Sequence, residues 1–539
     1  MRPVVLLLLG ALGASASRAQ PVLVEHGFDR GIEAYSMAPV MGGGVAAVDV
    51  DEDGDVDLFV PNAENVSDQL YLNDGTGSFV ESAATTGLAF LKRSRSALFF
   101  DADDDHDLDL VVAGDCFGSQ WSPEPGNESC RSGIAMLRLY RQESGGSFTD
   151  VSAASGLAVD SGAMKVSEHR GGLAAGDLDD DGDLDLYVAL WQGRSQLFRN
   201  DGDGNFTEVG AASGPGLAVR GHWQPVIADF NADGLQDIFV SIDFSENELW
   251  INQGGWVFLD RAVAAGVGSV MNDMGATLAD YDNDGDFDLF CTNIYEDAPG
   301  ERNVLFRNDS VGSAMSFAEV GATAGVADTD WGWGSTFFDV DNDGDLDLAV
   351  TNGFGDPPQY LTDTSRLFRN DGGPGWQFTD ISTASGFDDT YWGSSLAAFD
   401  SDRDGDLDLV QTTKIHPAPG PLRLLENSGV AGMHHLVVRP RQRGRNHFAV
   451  GAVVEVTSSG TTQTRRIDAG GGFLAQEPFE ATFGLGGAAQ VEIVRVRWPG
   501  EGVSVWSAVP SGGVLEALDV VLLADGFETG TEVAWSAGP

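Results

Sequence analysis

The chemistry in this chain is concentrated in acidic residues at alternating positions. Seven nine-residue windows share one register, with carboxylates at positions one, three, five and nine and glycine at six, except for Asn231 at position three of the fourth and His106 at position six of the second. They comprise Asp49, Asp51, Asp53, Asp55 and Asp57; Asp101, Asp103, Asp105, Asp107 and Asp109; Asp177, Asp179, Asp181, Asp183 and Asp185; Asp229, Asn231, Asp233, Leu235 and Asp237; Asp280, Asp282, Asp284, Asp286 and Asp288; Asp339, Asp341, Asp343, Asp345 and Asp347; and Asp400, Asp402, Asp404, Asp406 and Asp408. Carboxylates at one, three, five and nine, with the carbonyl of position seven, can wrap the roughly six to eight oxygens that Ca²⁺ takes at about 2.3–2.6 Å. Mg²⁺ keeps more water and stricter geometry, and zinc calls for His or Cys, which the windows mostly lack. Without a cation, each close carboxylate pair repels by about 1 kcal/mol at about 4 Å even in water.

Up to seven Ca²⁺ ions are therefore expected. Window two is expected to be the weakest, because His106 stands where the tight turn wants glycine; in window four, Leu235 is tolerable if position seven donates only its carbonyl. An EF-hand is excluded: position twelve, which would need Glu, is Val60, Val188, Val240 or Val350 inside an apolar run.

Lys and Arg number 30 against 83 Asp and Glu, a formal charge of −53, which argues against nucleic acid or an anionic membrane surface as partner. No G-x-S-x-G, H-E-x-x-H or P-loop occurs, and cation ligation uses up the paired carboxylates that a glycosidase would need. An extracellular hydrolase is thus the weakest reading, and no catalytic residue is assigned. Trp223, Trp331, Trp333 and Trp392 lie six to eight residues ahead of acidic windows. They are candidates for a ligand platform, with packing between repeats as the alternative. Cys116 and Cys130 bracket a Gly/Pro/Ser-rich insertion and can form a disulfide; Cys291 reads as a buried thiol.

The windows must be held by something that repeats with them. Their starts lie 52, 76, 52, 51, 59 and 61 residues apart. Each follows a small, apolar approach such as GGGVAAV (42–48) or WGSSLAAF (392–399) and precedes an apolar run such as LYVAL (186–190), so each is the tip of a β-hairpin. A third strand with a turn follows (LFRNDGDG, 197–204), and then a fourth (FTDVSAASGL, 148–157). Four strands in each of seven units give an all-β fold, a seven-bladed β-propeller over residues 20–430. The last unit lacks its fourth strand, and VLVEHGFDRGI (22–32) resembles it, so these residues are expected to close blade seven.

Residues 1–19 read as a secretory signal: Arg2, an apolar core from Val4 to Leu12, then small residues. No run approaches the roughly 20 apolar residues of a membrane span. A smaller β-rich domain is expected over 431–520 and a tail over 521–539. Between 434 and 519, eight Arg balance eight acidic residues, so the charge excess belongs to the propeller. Arg439, Arg441, Arg443 and Arg445 form a strip that can dock on it or bind an acidic glycan.

The windows, with the LFRNDG and FTDVSAASGL phrases, resemble the FG-GAP or VCBS repeats shared with integrin α-chain propellers. HLVVRPR (435–441), VGAVVEV (450–456), QTRRIDAGGGFLAQEPFEATFGLG (463–486) and VEIVRVRWPG (491–500) resemble the ASPIC/UnbV domain that follows such repeats in bacterial secreted proteins and in the cartilage acidic protein family. The resemblance implies an extracellular propeller followed by a β-rich module; the residues themselves are read as a monomeric, secreted calcium-binding module for binding or adhesion to an extracellular protein or glycan. The alternative is a calcium-rigidified matrix component without a specific small ligand.

Overall fold

Every acidic window joins two antiparallel strands, and its ninth residue is the first residue of the second strand. Thus Val45–Val48 pairs with Asp57–Val60 and Trp392–Phe399 with Asp408–Ile415. The computed structural model describes residues 20–519 except 33–41, 63–65, 91–93, 115–136, 158–168, 216–217, 295–301, 313, 355–357, 416–417 and 501. The signal reading at 1–19, the Cys116–Cys130 bridge and the tail at 521–539 lie outside the described residues. Among these residues, no helix is long and apolar enough to cross a membrane.

A third strand, such as Gln196–Asn200 or Arg366–Asn370, and a short fourth, such as Phe206–Glu208 or Phe378–Asp380, complete each four-stranded unit. The stretch expected as a longer fourth strand divides in two. Phe79–Glu81 is strand, and Ala83–Thr86 is one helical turn ended by Gly87 at φ 89°. The same turn recurs at Gly210–Ser213, Ala262–Ala265, Gly321–Ala324 and Ser382–Ser385. Small residues followed by a glycine in the left-handed region stop the strand there. For the last hairpin, the fourth strand is Leu23–Glu25, which pairs antiparallel with Leu425–Asn427.

The first strands of successive units pack side by side, and Trp392–Phe399 packs back onto Val45–Val48, giving a propeller-like ring of curled sheets around a central channel. Glycines in these strands permit the approach: a Cβ on Gly171 would lie 2.4 Å from the Trp223 carbonyl oxygen, and one on Gly275 2.3 Å from that of Trp333.

The C-terminal domain has two sheets. His434–Arg441 runs between Ala481–Gly486 and Val514–Leu518, and the second sheet is ordered Thr461–Arg466, Val453–Ser458, Gln490–Arg497, Val503–Pro510. From this domain, Ala475–Gln476 reaches into the ring and pairs in parallel with Val45–Ala46. One apolar core runs without a break from Leu98 and Leu186 of the ring to Val438, Val454 and Val496 of the domain.

Candidate metal centres

The loop conformation follows from two residues that turn left-handed. Position six has φ 92° at Gly54, 93° at Gly182 and 100° at Gly344; position four has φ 55° at Glu52, 54° at Asn283 and 59° at Arg403. This folds the chain so that the position-six N–H donates to the position-one carboxylate: Gly54 to Asp49 at 2.9 Å, Gly344 to Asp339 at 2.8 Å and Gly405 to Asp400 at 2.9 Å. His106 adopts φ 77° and donates to Asp101 at 3.1 Å, so loop two keeps the turn that its missing glycine put in doubt. Its ring stacks on His447 of the C-terminal domain, centroids 4.4 Å apart.

Position nine is held on both oxygens. Asp57 accepts from the Val50 N–H at 2.9 Å and the Asn73 N–H at 2.8 Å; Asp347 accepts from Val340 at 2.8 Å and Asn370 at 2.7 Å. The loop is thereby stapled to the third strand of its own unit. That strand's asparagine also reaches the preceding loop: Asn200 Nδ2 donates to the Ala102 carbonyl at 2.9 Å, Asn427 to Val340 at 2.8 Å and Asn73 to Ser401 at 2.8 Å. In the sequence these asparagines read as turn formers; their recurrence one strand after every loop except the second is the signal of this further role.

Position seven turns its side chain sideways. Asp345 accepts from Asn283 at 2.9 Å and Asp406 from Asn342 at 2.6 Å, each donor at position four of the preceding loop, and Asp55 pairs with Arg403 in the same manner. In these three loops the position-seven side chain is engaged by the preceding loop of the ring.

What remains points inward. Carboxylate oxygens of Asp101, Asp103 and Asp109 lie within 4.8 Å of one another, as do those of Asp177, Asp179 and Asp185, of Asp280, Asp282 and Asp288, of Asp339, Asp341 and Asp347, and of Asp49, Asp51 and Asp53. At position one, Oδ1 of Asp49, Asp101 and Asp400 is buried without a hydrogen-bond donor, and so is Oδ1 of Asp103, Asp179 and Asp282 at position three. Burial pushes the carboxyls of Asp49, Asp101, Asp280, Asp339 and Asp400 up to about 7, and those of Asp57, Asp109 and Asp237 to about 8. Converging, desolvated oxygens, those named at positions one and three donorless, with no nitrogen or sulfur among them, fit a hard divalent cation.

The tryptophans are placed differently from a ligand platform. Trp223, Trp333 and Trp392 are 0%, 1% and 4% exposed, and Phe473 packs against Trp223 and Trp333 with centroids 5.6 and 5.3 Å away. Trp331 is half-buried, stacked on Phe354 at 4.5 Å. These rings are covered from within the chain. In the arginine strip, Arg439 donates to the Gly54 carbonyl at 2.8 Å, Arg445 meets Asp183 at 2.7 Å, and Arg441 lies over Phe448. Cys291 is buried, as its surroundings in sequence suggest.

Residues 42–112, 177–240 and 229–291 match the FG-GAP-like repeat, and residues 442–517 match the ASPIC and UnbV domain. Cartilage acidic protein 1 of Homo sapiens is 25% identical over 539 residues, covering 94% of this chain and 68% of that protein. The Xenopus tropicalis protein of that name is 29% identical over 203 residues, covering 37% of this chain and 31% of that protein. For Mus musculus the figures are 28% over 306 residues, 54% and 44%. The matched stretches thus span from under a third to about two thirds of those relatives. Among solved structures, BBS1N in complex with ARL6DN has a TM-score of 0.41 at 10% identity, covering 74% of this chain and 94% of that one. The BP39L lectin from Burkholderia pseudomallei has 0.41 at 12%, covering 72% and 99%. This chain carries FG-GAP-like repeats followed by an ASPIC and UnbV domain and is a homologue of cartilage acidic protein 1.

Proposed function

We propose that this protein is a secreted, calcium-loaded, seven-bladed propeller that serves as a binding or adhesion module for an extracellular protein or glycan. The observation that carries the calcium reading is the set of buried, donorless oxygens at positions one and three. Carboxylates at one, three, five and nine and the carbonyl at seven would hold each ion. A bound cation would supply the positive charge that these desolvated carboxylates lack. The chain's own part is to pre-fold the loop through the position-six N–H and to staple it through position nine.

FG-GAP-like repeats suggest an integrin-like binding role, and the family likeness favours binding over catalysis. A second reading, a calcium-rigidified structural component, draws support from the side-chain clasps that tie loop to loop. Immobilised intact protein, screened against a glycan array and a panel of extracellular proteins in physiological buffer with calcium and then with chelator, separates the two. Saturable binding that chelation abolishes is the expected result. Absence of binding to every probe in calcium would favour the structural reading instead.

A further inference from the structure

In a propeller the first strand of each unit has a sheet neighbour on one side only, so its other edge turns unpaired N–H and C=O groups toward the channel. Here nine consecutive residues of the C-terminal domain, 469–477, touch the first strand of all seven units, five at a backbone group and two at a side chain, Gln224 and Thr336. Three are met by backbone: the Ala175 N–H donates to Ala469 at 2.9 Å, the Ala276 N–H to Gly472 at 3.3 Å and the Val45 N–H to Leu474 at 3.3 Å. Gln476 exchanges two bonds with the Phe99 backbone at 2.7 and 2.8 Å, and Gln224 Oε1 accepts from the Leu474 N–H at 3.0 Å. Glu477 serves the last two strands at once, accepting from the Ala398 N–H at 3.1 Å and from the Thr336 hydroxyl. Phe473 fills the axis between Trp223 and Trp333.

The domain also seats itself on position six of five loops. A Cβ on Gly405 would lie 1.8 Å from the His435 ring, one on Gly344 3.0 Å from Gln463, and ones on Gly54 and Gly182 3.1 and 3.2 Å from Arg439 and Arg445. His106, the one non-glycine there, stacks on His447. Loops four and five are left clear, across a cavity of about 470 Å³ bounded by Arg466 and Trp498.

We propose that the C-terminal domain is the hub of the ring. Segment 469–477 is a resident internal ligand that fastens the inner strands to one another, so that ring and domain fold as one unit and the channel and most of the loop face are closed to outside partners.

The test uses the full chain with a specific protease site inserted at the exposed turn Ala431–Gly432, cut after folding. The fragments should co-elute in non-denaturing buffer and melt in one transition. Phe473→Ala and, as a milder variant in case that one fails to fold, Gln476→Ala should lower the melting temperature by about 3 °C or more. They should also speed hydrogen exchange in Asp347–Asn352 and Asp408–Ile415, second strands that segment 469–477 does not pair with. Fragments that separate, leaving a ring that melts as the intact chain does, would overturn the proposal. So would variants whose second-strand exchange is unchanged.

Discussion

At the residue scale the nine-residue loop divides its labour. The position-nine carboxylate does structural work with or without metal, because two buried backbone N–H groups depend on it. Asp347→Ala should therefore cost about 2–6 kcal/mol in denaturant unfolding even in chelator, from two donors left unsatisfied at about 1–3 kcal/mol each. Asp284 at position five is exposed, and Asp284→Ala should leave chelator-state stability within about 0.5 kcal/mol while lowering the bound calcium count by one. Glu477 offers a pH test away from the loops. Burial, reinforced by Asp468 and opposed by the Thr336 hydroxyl and the Ala398 N–H, pushes its carboxyl to about 7. The native state then holds a proton that the unfolded chain releases above the ordinary range, so this group's contribution to stability falls as pH rises from about 4.5 to about 7. In saturating calcium, Glu477→Gln should melt higher than the parent at pH 8, with the gap closing by pH 5. Equal gaps at both values would contradict the assignment.

At the element scale the hairpins and third strands were legible because each obeys a local rule: alternation into a tight acidic turn, then a strand ending in Asn. The fourth strand was half legible, since SAAS-type sequences hide a helical turn that the following glycine fixes. The clasps were not legible. They pair position four of one loop with position seven of the next around the ring, 62 and 64 residues on for Asn283 and Asn342 but back to the first loop for Arg403, and residues as unlike as these three fill the role. The tryptophans' setting was also hidden, because Phe473, far away in sequence, decides whether their faces are open. Asn200→Ala should expose the value of the loop-to-loop tie. It removes the donor to the Ala102 and Leu184 carbonyls and should cost about 1–3 kcal/mol in equilibrium unfolding.

At the scale of the whole molecule, both ends of the ring are fastened by distant sequence. Leu23–Glu25 joins the last hairpin, and Arg30 pairs with Glu426 while its carbonyl accepts from the Phe79 N–H at 2.7 Å. Removing residues 20–33 should lower the melting temperature of the entire ring; a truncated chain that melts like the parent would contradict closure by this strand. Acidic loops at the tips, clasps between them and a domain seated over most of them leave little room for uncompensated charge to relax. Cation loading is therefore what the fold most needs. Metal analysis of the purified protein, coupled to melting in calcium and in chelator, tests it: several calcium ions per chain and a large fall in melting temperature on chelation are expected, whereas a metal-free protein whose melting temperature chelator leaves untouched would refute calcium loading.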